Sequence, residues 1–200
     1  MNRILSSVAL AFICLFPVYG QMAWNAKYQN YFNQYKDLAI EQMLKYRIPA
    51  SITLAQGVFE SGAGYSDLAR NGNNHFGIKC HGWQGRKTYH DDDARNECFR
   101  AYDSPGQSYE DHSKFLVQSQ RYRRLFSLKI TDYKGWAHGL KACGYATNPA
   151  YAKKLIDIIE LYKLYKYDSA HGYDKFMAKH ASKDSPALNG GTLHPIKMYN

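Results

Sequence analysis

The chain has 200 residues, a formal charge of +9, 45% hydrophobic residues and 15% aromatic residues with 18 tyrosines, enough for one domain with a real core plus a tail. The positive balance points to anionic partners, yet no basic run and no nucleic-acid motif occurs, which argues against nucleic acid. Nothing in the sequence calls for a cofactor, and the tyrosines suit either the stacking of sugar rings or a tyrosine-rich core.

Residues 1–20 combine one Arg, an apolar run from Ile4 to Val18 interrupted by Ser6 and Ser7, and a small-residue end. This reads as a secretory signal peptide cut between Gly20 and Gln21. The run is too short, and broken by Pro17, for a stable membrane span, and the surroundings of Cys14 match a lipoprotein acylation site poorly. Cleavage removes one Arg and no acid, so the charge falls from +9 to +8. A basic exported protein meets cell-wall polymers, in the periplasm, the envelope or outside the cell; a monomer is the default state.

A first helix is expected over 27–46, with Phe32, Tyr35, Ala39, Ile40, Met43 and Leu44 on one side. Pro49 suits the first turn of a second helix, in which Ile52, Ala55, Val58 and Phe59 form one apolar stripe and Gly62 and Gly64 stop the chain. Ser66 to Ala69 reads as a short turn, and Asn71 to Lys79 as an irregular loop with Phe76 and Ile78 tucked inward. Lys87–His90 and Asn96–Tyr102 alternate as two short strands around the acidic turn Asp91-Asp92-Asp93. Ser104-Pro105 opens a helix with Tyr109, His112, Phe115, Leu116 and Ser119 inward. Trp136 to Cys143 is a short helix ended by Gly144, and Asn148-Pro149 caps a last helix carrying Tyr151, Leu155, Ile158, Ile159 and Tyr162. From Asp168 the pattern dissolves into a Gly-, Ser- and Pro-containing tail over 168–200, leaving 21–167 as the folded domain.

Of the cysteines outside the leader, Cys80 and Cys98 flank the hairpin and are the expected disulfide, with Cys143 left free. Cys80, His81, His90 and Cys98 could instead hold zinc, but their spacing fits no standard zinc signature, so no metal is assigned.

Glu60 carries the functional reading. It is a carboxyl at the last turn of a largely apolar helix, where burial and the negative end of the helix dipole both disfavour the ionised form. A carboxylic acid still protonated near neutral pH is what a general acid requires; a Glu capping a surface turn is the plainer alternative.

A mostly helical chain with one hairpin beside a central helix has the layout of the lysozyme superfamily. Four segments then stand in a telling order: Ala55-Gln56 with Glu60-Ser61-Gly62, Asn74-His-Phe-Gly-Ile-Lys79, Phe99-Arg-Ala-Tyr102, and the run from Gly144 to Leu155. Over about residues 35–165 the chain resembles the peptidoglycan N-acetylglucosaminidases of glycoside hydrolase family 73. The resemblance implies a mainly α fold with a small β-hairpin, lysozyme-like. It implies peptidoglycan glycan strands as substrate, cut at the β-1,4 bond between N-acetylglucosamine and N-acetylmuramic acid. Glu60 would be the acid, and Tyr145 would orient the sugar's N-acetyl group, packing under the last helix being its alternative. Gln56, Asn74, Phe76, Gly77, Trp83 and Tyr151 are the candidate substrate-binding residues.

Family members with an assigned second carboxylate carry it on the hairpin, where Asp91 and Asp92 fall nearest and Asp93 and Glu97 remain possible; a solvated acidic turn is as plausible for all of them. Without such a partner, the substrate's acetamido group supplies the nucleophile. A lytic transglycosylase or muramidase, which also sets Glu-Ser at a helix end, and a wall-binding module without activity are the rival readings. His194 to Asn200 resembles the entry to a LysM wall-binding module.

Overall fold

The computed structural model of the protein describes residues 22–169, position 93 excepted. The leader, Cys14, Asp93 and the HPIKMYN segment lie outside the described residues. The elements in order are α1 (Ala26–Tyr46), α2 (Ala50–Glu60), α3 (Asp67–Gly72), β1 (Lys87–His90), β2 (Glu97–Arg100) and α4 (Pro105–Gln118). A 3-10 helix (Gln120–Ser127), α5 (Tyr133–Ala142), α6 (Tyr151–Leu161) and a second 3-10 helix (Leu164–Asp168) complete the chain. The mainly helical architecture with one antiparallel hairpin is the one expected; β1 and β2 pair from Lys87 opposite Arg100 to His90 opposite Glu97.

The apolar stripe foreseen on α2 is too narrow. Every residue from Ala50 to Val58 is buried, because α1, α5, α6 and the second 3-10 helix enclose α2 on all sides. A helix can be buried all round only if its polar members are satisfied inside. Thr53 Oγ1 donates back to the carbonyl of Pro49, and Gln56 Nε2 donates to the Tyr151 hydroxyl. Ser51 is served from 117 positions away: the Asp168 carboxylate accepts its backbone N–H at 2.8 Å and its hydroxyl at 2.5 Å. Pro49 proves to be the N-cap rather than the first turn, and its side chain caps nothing, so Asp168 performs the capping. The folded unit therefore includes Asp168, which is buried and whose carboxyl is pushed up to about 7 by that burial.

Three further expectations are corrected. Ser66 to Ala69 is no mere turn: Ser66 caps α3, its Oγ accepting the N–H of Ala69 at 3.2 Å. Leu44 and Phe115, assigned inward, are exposed, and Tyr31 and Gln42 fill the α1 face instead. The 120–127 segment, unassigned in the sequence, is helical, with Tyr122 and Leu125 buried and its arginines outward.

The helix stops fall where the glycines predicted. Gly62 (φ +56) and Ala63 (φ +61) turn left-handed after α2, and the N–H of Ala63 reaches back to the carbonyl of Val58 at 2.8 Å. Gly144 (φ +75) follows α5 in the same way. The Cys80–Cys98 disulfide is present, with Cα atoms 5.5 Å apart, so neither sulfur is available as a zinc ligand. Cys143 is free and receives the Arg124 Nε–H at 3.2 Å.

Candidate active site

Glu60 opens into a cleft of about 460 Å³ between the hairpin on one side and the 3-10 helix with the Gly144 turn on the other. Phe76, Gly77, Ile78, Lys79, Asp92, Tyr122 and Tyr145 line it with Glu60. Three local devices assemble it.

The first is the end of α2. The Ser61 hydroxyl donates to the carbonyl of Gly57 and accepts the N–H of Gly64 at 2.8 Å, so the turn that carries Glu60 is closed from within. The Tyr151 hydroxyl donates to Glu60 Oε1 at 3.1 Å. Burial pushes its carboxyl up from 4.5 to about 7, and the bond from Tyr151 opposes that rise by favouring the ionised form. Burial thus acts as the sequence suggested, and at neutral pH the acid form is well populated.

The second device is the loop 74–80. Asn74 is buried and acts as its brace: Nδ2 donates to the carbonyls of Ile78 and Arg100, and Oδ1 accepts the N–H of Ile78. The Arg100 and Cys80 N–H groups pair with the carbonyls of Ile78 and Cys98, so the loop lies along β2 almost as a third strand. Gly77 sits at φ +60, which favours glycine, and its carbon faces open space within the cleft. Phe76 lies flat on His112, ring centroids 4.0 Å apart and planes 14° from parallel. His112 is fully buried, neither of its nitrogens has a partner among the described residues, and burial lowers its pKa to about 3. It therefore supports the floor as a neutral ring.

The third device is the pair Tyr145–Tyr151, stacked 5.7 Å apart at 24°. Tyr151 is fully buried between Gln56 and Glu60, accepting from the first and donating to the second. Tyr145 is half-buried and lines the cleft, and burial together with the Glu60 charge drives its phenol well above the usual range, so it remains an O–H donor.

The candidates from sequence are thus sorted by place. Glu60, Phe76, Gly77, Tyr145 and Asp92 meet in the cleft. Gln56, Asn74 and Tyr151 are buried and act behind it: Gln56 Nε2 is spent on Tyr151 while its Oε1 has no partner among the described residues, Asn74 braces the loop backbone, and Tyr151 joins Gln56 to Glu60. Trp83 lines a different cavity of about 320 Å³ with Tyr102, Glu110 and Asp111; its N–H is taken by the carbonyl of Arg86. Asp91 Oδ1 accepts the N–H of Asn96 at 2.7 Å and so braces the hairpin turn. Asp92 lies 3.4 Å from Lys79 Nζ, which also donates to both Glu97 oxygens at 3.0 Å. In the Phe99–Tyr102 segment Phe99 lines the cleft and the rest anchors it: Arg100 Nη1 donates to both Asp111 oxygens at 3.1 and 2.8 Å, and the Tyr102 hydroxyl donates to the same carboxylate. Lys79, Arg121 and Tyr122 also line the cleft, and His112 supports its floor, without any sign of this in the sequence pattern. Lys79 closes the Asn74–Lys79 segment and His112 was placed inward, but pairing and stacking partners so distant in sequence leave no local signal.

A carboxylic acid at a helix end, with its protonated form well populated at neutral pH, in a cleft with an aromatic floor and a hairpin carboxylate, is equipped for glycosidic bond protonation. Residues 36–164 match the family model described as mannosyl-glycoprotein endo-beta-N-acetylglucosaminidase. The chain belongs to the glucosaminidase family.

Its glucosaminidase domain is 34% identical over 154 residues to the exo-glucosaminidase LytG of Bacillus subtilis, covering 70% of this chain and 54% of that protein. It is 29% identical over 142 residues to the peptidoglycan hydrolase FlgJ of Vibrio parahaemolyticus, covering 65% of this chain and 46% of that one. The chain spans about half the length of these curated relatives. Among solved structures, the glucosaminidase domain resembles the glycoside hydrolase domain of Salmonella typhimurium FlgJ, with a TM-score of 0.59, 26% identity, and 78% and 98% of the two chains covered. It resembles equally the catalytic domain of the autolysin Auto of Listeria monocytogenes, at TM-score 0.59, 27% identity, and 74% and 91% covered. The lysozyme-like glycoside hydrolase fold expected from the sequence is the fold found.

Proposed function

We propose that this chain is an exported peptidoglycan hydrolase that cuts the β-1,4 bond between N-acetylglucosamine and N-acetylmuramic acid, with Glu60 as general acid. The observation that carries this reading is the Glu60 carboxyl, open to the cleft and raised to about 7 by burial. An acid poised near the working pH transfers its proton efficiently to the departing oxygen, an effect typically worth about 10²–10⁴-fold. A module that only bound the wall would have no use for it. Export rests on the leader-like residues 1–20, the wall substrate on the likeness to the peptidoglycan hydrolase FlgJ, and the glucosaminidase bond on the likeness to the exo-glucosaminidase LytG.

The second role we give to Asp92 rather than Asp91, since Asp92 lines the cleft while Asp91 is spent on the turn. In an inverting reaction Asp92 would activate a water on the far side of the sugar, the two carboxyls standing about 6.5–9.5 Å apart. The Lys79 ammonium, shared with Glu97, stands 3.4 Å from this carboxylate and holds it at the cleft. The substrate-assisted course keeps one observation in its favour: the protonated Tyr145 hydroxyl stands in the cleft, where it could align an acetamido group.

The test is digestion of purified sacculi by the mature chain, followed by borohydride reduction and mass spectrometry. New ends carrying N-acetylglucosaminitol support the reading. Muramitol ends, or 1,6-anhydromuramic products, would move the protein to the muramidase or transglycosylase class. The size distribution of early products separates endo from exo action.

A further inference from the structure

Arg121 stands on the cleft wall opposite the hairpin, at the start of the first 3-10 helix. Two strong cations line the cleft. Lys79 is engaged by Glu97 and Asp92, whereas Arg121 has no carboxylate within ion-pair distance among the described residues. Its guanidinium is nevertheless placed rather than loose. It lies 5.9 Å from the centre of the buried Tyr122 ring, and Nη1 makes a long 3.5 Å contact with the carbonyl of Gly144. That contact uses one of five N–H donors, and the planar fork of the rest suits a carboxylate.

The cleft thus has walls of opposite sign, Asp92 on one and Arg121 on the other. On the proposed substrate, N-acetylglucosamine is neutral, and negative charge occurs only on the 3-O-lactyl substituent of muramic acid. It is either the lactyl carboxylate itself or, where a stem peptide is attached, a carboxylate of that peptide. We infer that Arg121 is a specificity-determining residue that binds a carboxylate on the 3-O-lactyl substituent of a muramic unit lying against the Tyr122–Gly144 wall. The cleft then prefers peptidoglycan strands to neutral N-acetylglucosamine polymers, and Asp92 on the far wall disfavours the reversed strand, which would bring the carboxylate beside it. This inference rests on the glycosidase reading above.

The experiment measures binding in the mature chain carrying Glu60→Gln, so that no ligand is consumed. Calorimetry at low salt compares three disaccharides: N-acetylglucosaminyl-N-acetylmuramic acid, the same unit bearing its stem peptide, and the neutral N-acetylglucosamine dimer, N,N′-diacetylated chitobiose. At least one carboxylate ligand should bind about tenfold tighter than the neutral dimer, and which of the two does so identifies the source of the carboxylate. Adding Arg121→Ala should reduce that ratio to below about twofold, Arg121→Lys should retain part of it, and added salt should shrink it, as expected of an exposed charge pair. Circular dichroism confirms that the exposed substitution leaves the fold intact. No preference with Arg121 present, a preference that survives Arg121→Ala, or an equal weakening of all three ligands overturns the inference. If wild-type chain cuts sacculi to N-acetylglucosamine ends while the ratio does not respond, the inference alone fails. If those ends never appear, the glycosidase reading fails and the inference falls with it.

Discussion

Replacing Glu60 by Gln separates the catalytic use of this residue from its cost to the fold. The amide keeps the shape and still accepts the Tyr151 O–H that now reaches Oε1 at 3.1 Å, but it carries no transferable proton. Wall hydrolysis should fall at least about a hundredfold. The stability consequence follows from the raised carboxyl. A group that moves from 4.5 in the unfolded chain to about 7 in the folded one holds its proton more tightly when folded. Folding is therefore favoured at low pH and loses ground as pH rises from about 4.5 through 7. At 1.36 kcal/mol per pH unit this corresponds to about 3 kcal/mol, and partial solvation in the open cleft reduces it to about 1–3 kcal/mol. Urea unfolding of both proteins should then agree near pH 4 and diverge by about 1–3 kcal/mol near pH 8, with Glu60→Gln the more stable. Wild-type kcat should decline tenfold per unit above about pH 7, as the acid ionises. A variant that retains activity per folded molecule, or a stability difference that does not grow with pH, would falsify the assignment of Glu60 as a buried general acid.

Three other changes test the support around it. Tyr151→Phe removes the one hydrogen bond that draws Glu60 down, so the alkaline limb of the rate profile should move to higher pH; a shift to lower pH contradicts the argument. The Gln56 amide is then left unpaired in the core, lowering stability by about 1–3 kcal/mol in thermal or urea unfolding. Asp168→Ala strips the cap from Ser51 N–H and Oγ–H and should cost about 2–4 kcal/mol; a loss under about 0.5 kcal/mol would mean that water replaces the carboxylate freely. Replacing Cys80 and Cys98 together by Ser opens a crosslink spanning 18 positions and should cost about 3 kcal/mol by loop entropy, whereas unreduced peptide maps joining Cys143 to either partner would exclude the pairing.

Much of this was legible in the chain itself, because its causes are local. Helical spacing, the glycines after Glu60 and after α5, and the alternation on both sides of the acidic turn each depend on a few adjacent residues, and all three reappear in the structure. The raised carboxyl of Glu60 follows for the same reason, from a helix end among apolar neighbours. What only the tertiary structure decided are pairings across long stretches of chain. Pro49 cannot cap its own helix, and nothing in its neighbourhood says that Asp168 will do so from the far end of the domain. Gln56 and Tyr151 read as groove residues until α6 lies against α2, which turns Gln56 to the Tyr151 hydroxyl and that hydroxyl to Glu60. Asp91 and Asp92 are chemically identical neighbours; the hairpin turn takes the first for its backbone and leaves the second facing the cleft. Periodicity reports which face of an element is apolar, but burial on every side, as in α2, depends on how many other elements arrive to cover it.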